Sequence, residues 1–107
     1  MLSPKPPFDA NHPLVRVPPA LANRFHALCR KSKVSYSEGI RQLVARYLEN
    51  PFKFQPPGYA QSKTAHLPHA IDSKRNVLDL ARHAKRSDIT HSEAIRQIVQ
   101  QHLENER

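Results

Sequence analysis

Cysteine occurs once, at Cys29, and glycine only twice, at Gly39 and Gly58. A single cysteine excludes an internal disulfide and leaves no cysteine pair for a zinc site. On an apolar helical face it reads as a small buried hydrophobe rather than a nucleophile. Two isolated glycines exclude a glycine-rich phosphate loop. No apolar run approaches membrane-spanning length, and the amino end carries no apolar segment of the signal-peptide kind, so a soluble, cytoplasmic protein is expected. Acidic residues are scarce as well, nine against seventeen Lys and Arg, for a net charge of +8. The excess is uneven: residues 1–57 hold nine basic and three acidic side chains, residues 58–107 eight and six. That balance favours a polyanionic partner.

What the chain does have is a repeat. Ser35 to Asn50 reads SYSEGIRQLVARYLEN, and fifty-five residues later Thr90 to Asn105 reads THSEAIRQIVQQHLEN, with nine of sixteen positions identical. Each copy opens on a capping box, Ser35-x-x-Glu38 and Thr90-x-x-Glu93. There the hydroxyl accepts from the amide three residues on and the glutamate is placed to reach back to the cap. Ile40, Leu43, Val44, Tyr47 and Leu48 then fall at helical spacing, as do Ile95, Ile98, Val99 and Leu103. An amphipathic helix of this length is marginal alone in water. Each half of the 107-residue chain is also too short to hold a core unaided. The two halves are therefore expected to share one.

Upstream of each capped helix the same order recurs. Leu14 to Val17 is short, β-branched and stopped by Pro18 and Pro19, which predicts a strand with Val15 and Val17 on one face and Leu14 and Arg16 on the other. Lys63 to Leu67 before Pro68 predicts a second, with Ala65 and Leu67 inward and Thr64 and His66 outward. A helix from Pro19 buries Leu21, Phe25, Leu28 and Cys29. Its counterpart, with Asp72 as cap, buries Val77, Leu78, Leu80, Ala81 and Ala84 and ends at Ser87-Asp88. The second half has three to five more residues between strand and capping box than the first. The proline-rich residues 1–13 read as a flexible arm. Residues 51–62, with Pro51, Pro56, Pro57 and Gly58, read as a linker packed down through Phe52, Phe54 and Tyr59. The two units are then residues 14–50 and 63–107.

Strand, proline, helix, loop and capped helix, stated twice, resemble the ribbon-helix-helix (Arc/MetJ-like) family of DNA-binding proteins. The likeness is carried above all by Leu28 to Ile40 and by its echo Ser92-Glu93-Ala94-Ile95-Arg96. The tandem single-chain form is similar to the TraY-like accessory proteins of plasmid conjugation. The resemblance implies a mostly α fold with one two-stranded antiparallel β-ribbon, the two units forming an intramolecular pseudo-dimer. It also departs from the family pattern: the turn between helices has Lys33, and Ser87 or Asp88, where the family has glycine.

The same resemblance implies where DNA contacts lie. A two-stranded ribbon fits the major groove, which brings Leu14, Arg16, Thr64 and His66 to base edges. Arg16 is the strongest specificity determinant, through guanine O6 and N7. The starts of the capped helices are phosphate seats, built from the amides of Tyr36, Ser37, His91 and Ser92 with the hydroxyls of Ser35, Ser37, Thr90 and Ser92. Double-stranded DNA is the expected partner, with side-by-side self-association on it, and no membrane or small-molecule substrate. The role implied is a transcriptional repressor or a transfer-origin accessory factor in the nucleoid or on a plasmid. A protein-docking module is the reading from another class.

The seven histidines make no metal or catalytic site by spacing. His66-x-x-His69 and the His83/His91 pair lack the i, i+4 helical arrangement, so solvent-facing or groove-facing histidines are expected. No enzyme activity, metal or cofactor is expected.

Overall fold

Pro18 stops one element and starts the next. In the computed structural model, which describes residues 10–56, 65–67 and 70–105, it is the extended residue between a strand and a helix whose first residue is Pro19. The elements in chain order are β1 (Ala10–Asn11), β2 (Val15–Val17), α1 (Pro19–Ser32), α2 (Tyr36–Glu49), β3 (Ala65–Leu67), β4 (Ile71–Asp72), α3 (Lys74–Arg86) and α4 (His91–Asn105). The protein is mostly helical, with a small antiparallel sheet in which β2 pairs with β3. The expectation of one ribbon needs correcting, because β1 and β4 form a second antiparallel pair.

Both turns between helices use a left-handed residue without glycine. Lys33 has φ 58° and Asp88 φ 60°, at equivalent positions of the repeat. In each turn the residue after it closes a bond across the end of the helix: Val34 N–H donates to Cys29 O at 3.1 Å, and Ile89 N–H to Ala84 O at 3.0 Å. These bonds take up terminal carbonyls that would otherwise be unsatisfied.

The extra length of the second half is now placed. Val17 leads straight into its cap Pro18, whereas five residues separate Leu67 from the cap Ser73. Within that insertion Ile71 and Asp72 pair with Asn11 and Ala10, and Ala70 O accepts from His12 N–H at 2.8 Å. Two sequence expectations change as a result. The cap of α3 is Ser73, whose hydroxyl accepts from Asn76 N–H at 3.1 Å; Asp72 is a buried strand residue. Residues 10–12, expected in a flexible arm, are fastened to the insertion, while residues 1–9 lie outside the described residues.

The core is a single cluster drawn from both repeats. Phe25, Ile40 and Val44 from the first half and Leu80, Ile95 and Val99 from the second are buried in it, closed on one side by Val15, Val17 and Leu67. Leu78, expected inside, is 47% exposed. It lies two residues from Leu80, about 200° around the helix, so only one of the two can face inward. Equivalent positions in the repeats compensate in volume. In the first half Cys29 packs against Gly39, so closely that a Cβ at Gly39 would sit 2.6 Å from the Cys29 sulfur. In the second half both positions are alanine, Ala84 and Ala94, and both are buried.

The described part of the linker is packed down, as its aromatics imply. Tyr47 stacks on Phe54 at 4.9 Å and meets Phe52 edge-on at 5.1 Å. The buried Gln97 amide then fastens the main chain of Gln55, accepting from its N–H at 2.9 Å and donating to its carbonyl at 2.8 Å. Among the described residues no helix is long and apolar enough to cross a membrane.

Candidate nucleic-acid interface

Alternation along β2 and β3 separates a buried face from an open one. Val15, Val17 and Leu67 are fully covered, while Arg16 and His66 are exposed and directly opposite each other in the antiparallel register. Thr64, expected beside them, lies outside the described residues. Leu14 is 40% exposed just before β2.

This open face runs into the start of α4. A shallow cleft is lined by Leu14, Arg16, Thr90, Ser92 and Glu93, so four of the expected contact residues border one surface. Thr90 caps the helix by accepting from Glu93 N–H at 3.0 Å. The Glu93 carboxylate, which would oppose an anion here, is buried, paired with Arg96 and hydrogen-bonded by the Gln97 amide on the following turn. Its hydrogen bond with Glu93 holds the Arg96 guanidinium protonated above its ordinary range. The Ser92 hydroxyl donates to Leu14 O at 3.0 Å. Its only proton is thereby committed, and the remaining lone pairs repel rather than bind phosphate oxygen. In this arrangement the hydroxyl positions Leu14.

At the start of α2 the geometry differs. Ser35 accepts from Glu38 N–H at 3.1 Å. The Glu38 carboxylate turns along its own helix to Gln42 and Arg41. Tyr36 stacks on His26 at 4.2 Å, with the rings 13° from parallel, which fixes the side chain on α1 and leaves its amide as the group of interest. The insertion crosses here: Ile71 N–H donates to Ser37 Oγ at 2.9 Å and Arg41 donates to Ile71 O at 2.9 Å. Ser37 accepts in that bond, so unlike Ser92 it keeps its proton for another acceptor. The amides of Tyr36, Ser37, His91 and Ser92 have no partner among the described residues, as is usual for the first turn of a helix. The two helix starts are therefore inequivalent, one bordered by Arg16 and Leu14, the other by Ile71 and Arg41.

The largest departure from sequence reasoning concerns histidine. His12 is 1% exposed, with Nε2 3.0 Å from Asp72 Oδ2 and Nδ1 3.0 Å from His91 Nε2. Burial and the neighbouring His12 push His91 down to about 4, so its ring is neutral near pH 7 and supplies no cation to a phosphate. His83 also turns inward, meeting the Tyr47 hydroxyl at 3.1 Å. The surplus length before α3 was the only sequence signal for the His12–Asp72 contact, and it marked an insertion without marking its partner. Among the described residues no cluster of His, Cys, Asp or Glu is arranged to hold a metal. Comparison of the chain with protein-family models, curated proteins and solved structures gives no match.

Proposed function

We propose that this chain is a tandem ribbon-helix-helix protein that binds duplex DNA, with β2 and β3 as the reading element in the major groove. The observation that carries the reading is the outward pair Arg16 and His66 at the centre of an antiparallel register. Val15↔Leu67 and Val17↔Ala65 flank that pair. With Val15 equivalent to Ala65 and Val17 to Leu67 between the halves, exchanging the halves maps one flanking pair onto the other. That is the register expected of an intramolecular pseudo-dimer. The shared core and the net charge of +8 support it further.

In this mechanism Arg16 grips guanine O6 and N7, His66 and Thr64 contact bases from the other strand, and Leu14 offers an apolar contact to a thymine methyl. The amides of Tyr36, Ser37, His91 and Ser92, at helix starts capped by Ser35 and Thr90, seat phosphates on either side of the groove and set the register. Because Arg16 and His66 differ, the preferred site is asymmetric. A transcriptional repressor is the role this chemistry suits, with a transfer-origin accessory factor using the same contact. The second reading, docking on another protein, is favoured by the exposure of Leu14 (40%) and Ile71 (46%) at the two helix starts.

Selection of bound duplexes from a random pool, followed by salt titration of the best one, tests the proposal. DNA binding predicts a log–log salt slope of about −0.9 per phosphate neutralised. Failure to enrich any duplex at low salt refutes it.

A further inference from the structure

We propose that Asp72, His12 and His91 form an acid-sensitive latch, which fastens the chain preceding β2 to the start of α4 and releases it when both rings carry a proton. The three side chains come from three segments far apart in sequence: the residue after β1, β4 and the first turn of α4. Asp72 is anchored at its other oxygen, Oδ1, by Ser73 N–H at 2.7 Å and by the Asn76 amide at 3.2 Å. Its Oδ2 is left to accept from His12 Nε2 at 3.0 Å. That fixes the orientation of His12 and aims Nδ1 at His91 Nε2, also at 3.0 Å.

A contact between two ring nitrogens at this distance needs one lone pair and one N–H. One N–H between the rings satisfies it, whichever ring supplies it. A second proton leaves two N–H groups facing each other and two like charges in a site where His12 is 1% exposed. The positive end of the α4 dipole adds to that cost. Among the described residues, the other charged groups near the latch offer His91 no relief. Glu93 is held by Arg96, Arg41 of α2 is bound to Ile71 O, and Lys74 stands at the first turn of α3 beyond Asp72.

The direction of the pH response follows. His91 lies at about 4 when docked, against 6.5 in the open. A value depressed in the docked state means that docking is fully favoured above about 6.5 and weakens as pH falls towards 4. The largest change this allows is about 300-fold in the docking equilibrium. Release would free the segment that leads into Leu14 and so disturb the edge of the cleft at α4, but the latch is independent of what that surface binds.

Amide exchange of the whole protein, corrected for intrinsic rates, tests the latch at the His12 N–H, which is bonded to Ala70 O. Protection of that amide is expected to fall at least tenfold between pH 7 and pH 4.5, while Val99 in the core stays protected. In His91→Gln, where the amide can still bond His12 but does not titrate, protection should be flat over the same range. No fall in the wild type, or the same fall in His91→Gln, overturns the proposal. Should His91→Gln leave residues 10–12 unprotected at every pH, the wild-type His91 ring titration decides. A midpoint below 5.5 upholds the latch and a higher one overturns it.

Discussion

Replacing Gly39 with alanine is expected to destabilise the native chain yet stabilise a chain that already carries Cys29→Ala. An exposed Gly-to-Ala change inside a helix gains about 1 kcal/mol from backbone entropy alone. Here the new methyl would lie 2.6 Å from the Cys29 sulfur and 3.1 Å from the edge of the Phe25 ring. An ordinary contact is about 3.4 Å or more, so α1 and α2 must part by several tenths of an ångström inside a packed core, at a cost of about 1–3 kcal/mol. The net effect of Gly39→Ala is a loss of up to about 2 kcal/mol. With Cys29 truncated, the severe contact is gone and only the Phe25 edge has to adjust. The same methyl then fills space vacated by sulfur, and a gain of up to about 1 kcal/mol remains. The second half already uses this solution, with Ala84 and Ala94 both buried. Urea denaturation of the four proteins in the cycle measures the coupling between the sites. Equal destabilisation by Gly39→Ala in both backgrounds would refute the packing argument.

Arg16→Ala should lower affinity for a selected duplex by about 1–3 kcal/mol, and affinity for random duplex much less; fluorescence anisotropy on both duplexes distinguishes base reading from phosphate contact. Gln97→Ala removes three hydrogen bonds, two to the Gln55 main chain and one to the buried Glu93 carboxylate; it should cost about 1–3 kcal/mol, lessened because water can reach the exposed Gln55, and should speed proteolysis of residues 51–56. Lys33→Gly should stabilise by up to about 1 kcal/mol, the left-handed strain relieved less the added chain entropy. Asp88→Gly should gain less, since aspartate tolerates that geometry better; thermal midpoints compare the two.

Features that depend on nearby residues were legible before the structure. The capping hydroxyls of Ser35 and Thr90, the proline boundary at Pro18 and the glycine-free turn at Lys33 are all decided within a few positions. So is the alternation that exposes Arg16 and His66, since a strand side chain's face follows from its parity. What could not be read depends on pairing across the chain. His12 and Asp72 are sixty residues apart, and neither has a local pattern that marks it as buried. Asp72 before Ser73 offers two plausible caps, and only the β1–β4 pairing removes one of them. The commitment of the Ser92 hydroxyl to Leu14 was equally hidden, because it hangs on where β2 sits relative to a helix in the other repeat. The excess residues before α3 showed that the halves differ but not what the difference accomplishes.

Ile71 hydrogen-bonds to α2 through main-chain atoms, its N–H on Ser37 and its carbonyl on Arg41, while its side chain is 46% exposed. Neither bond depends on the side chain, so a substitution that keeps the N–H should leave both in place. A cysteine carrying an environment-sensitive dye at position 71 would serve as a reporter of occupancy at that helix start without disturbing the framework it reports on.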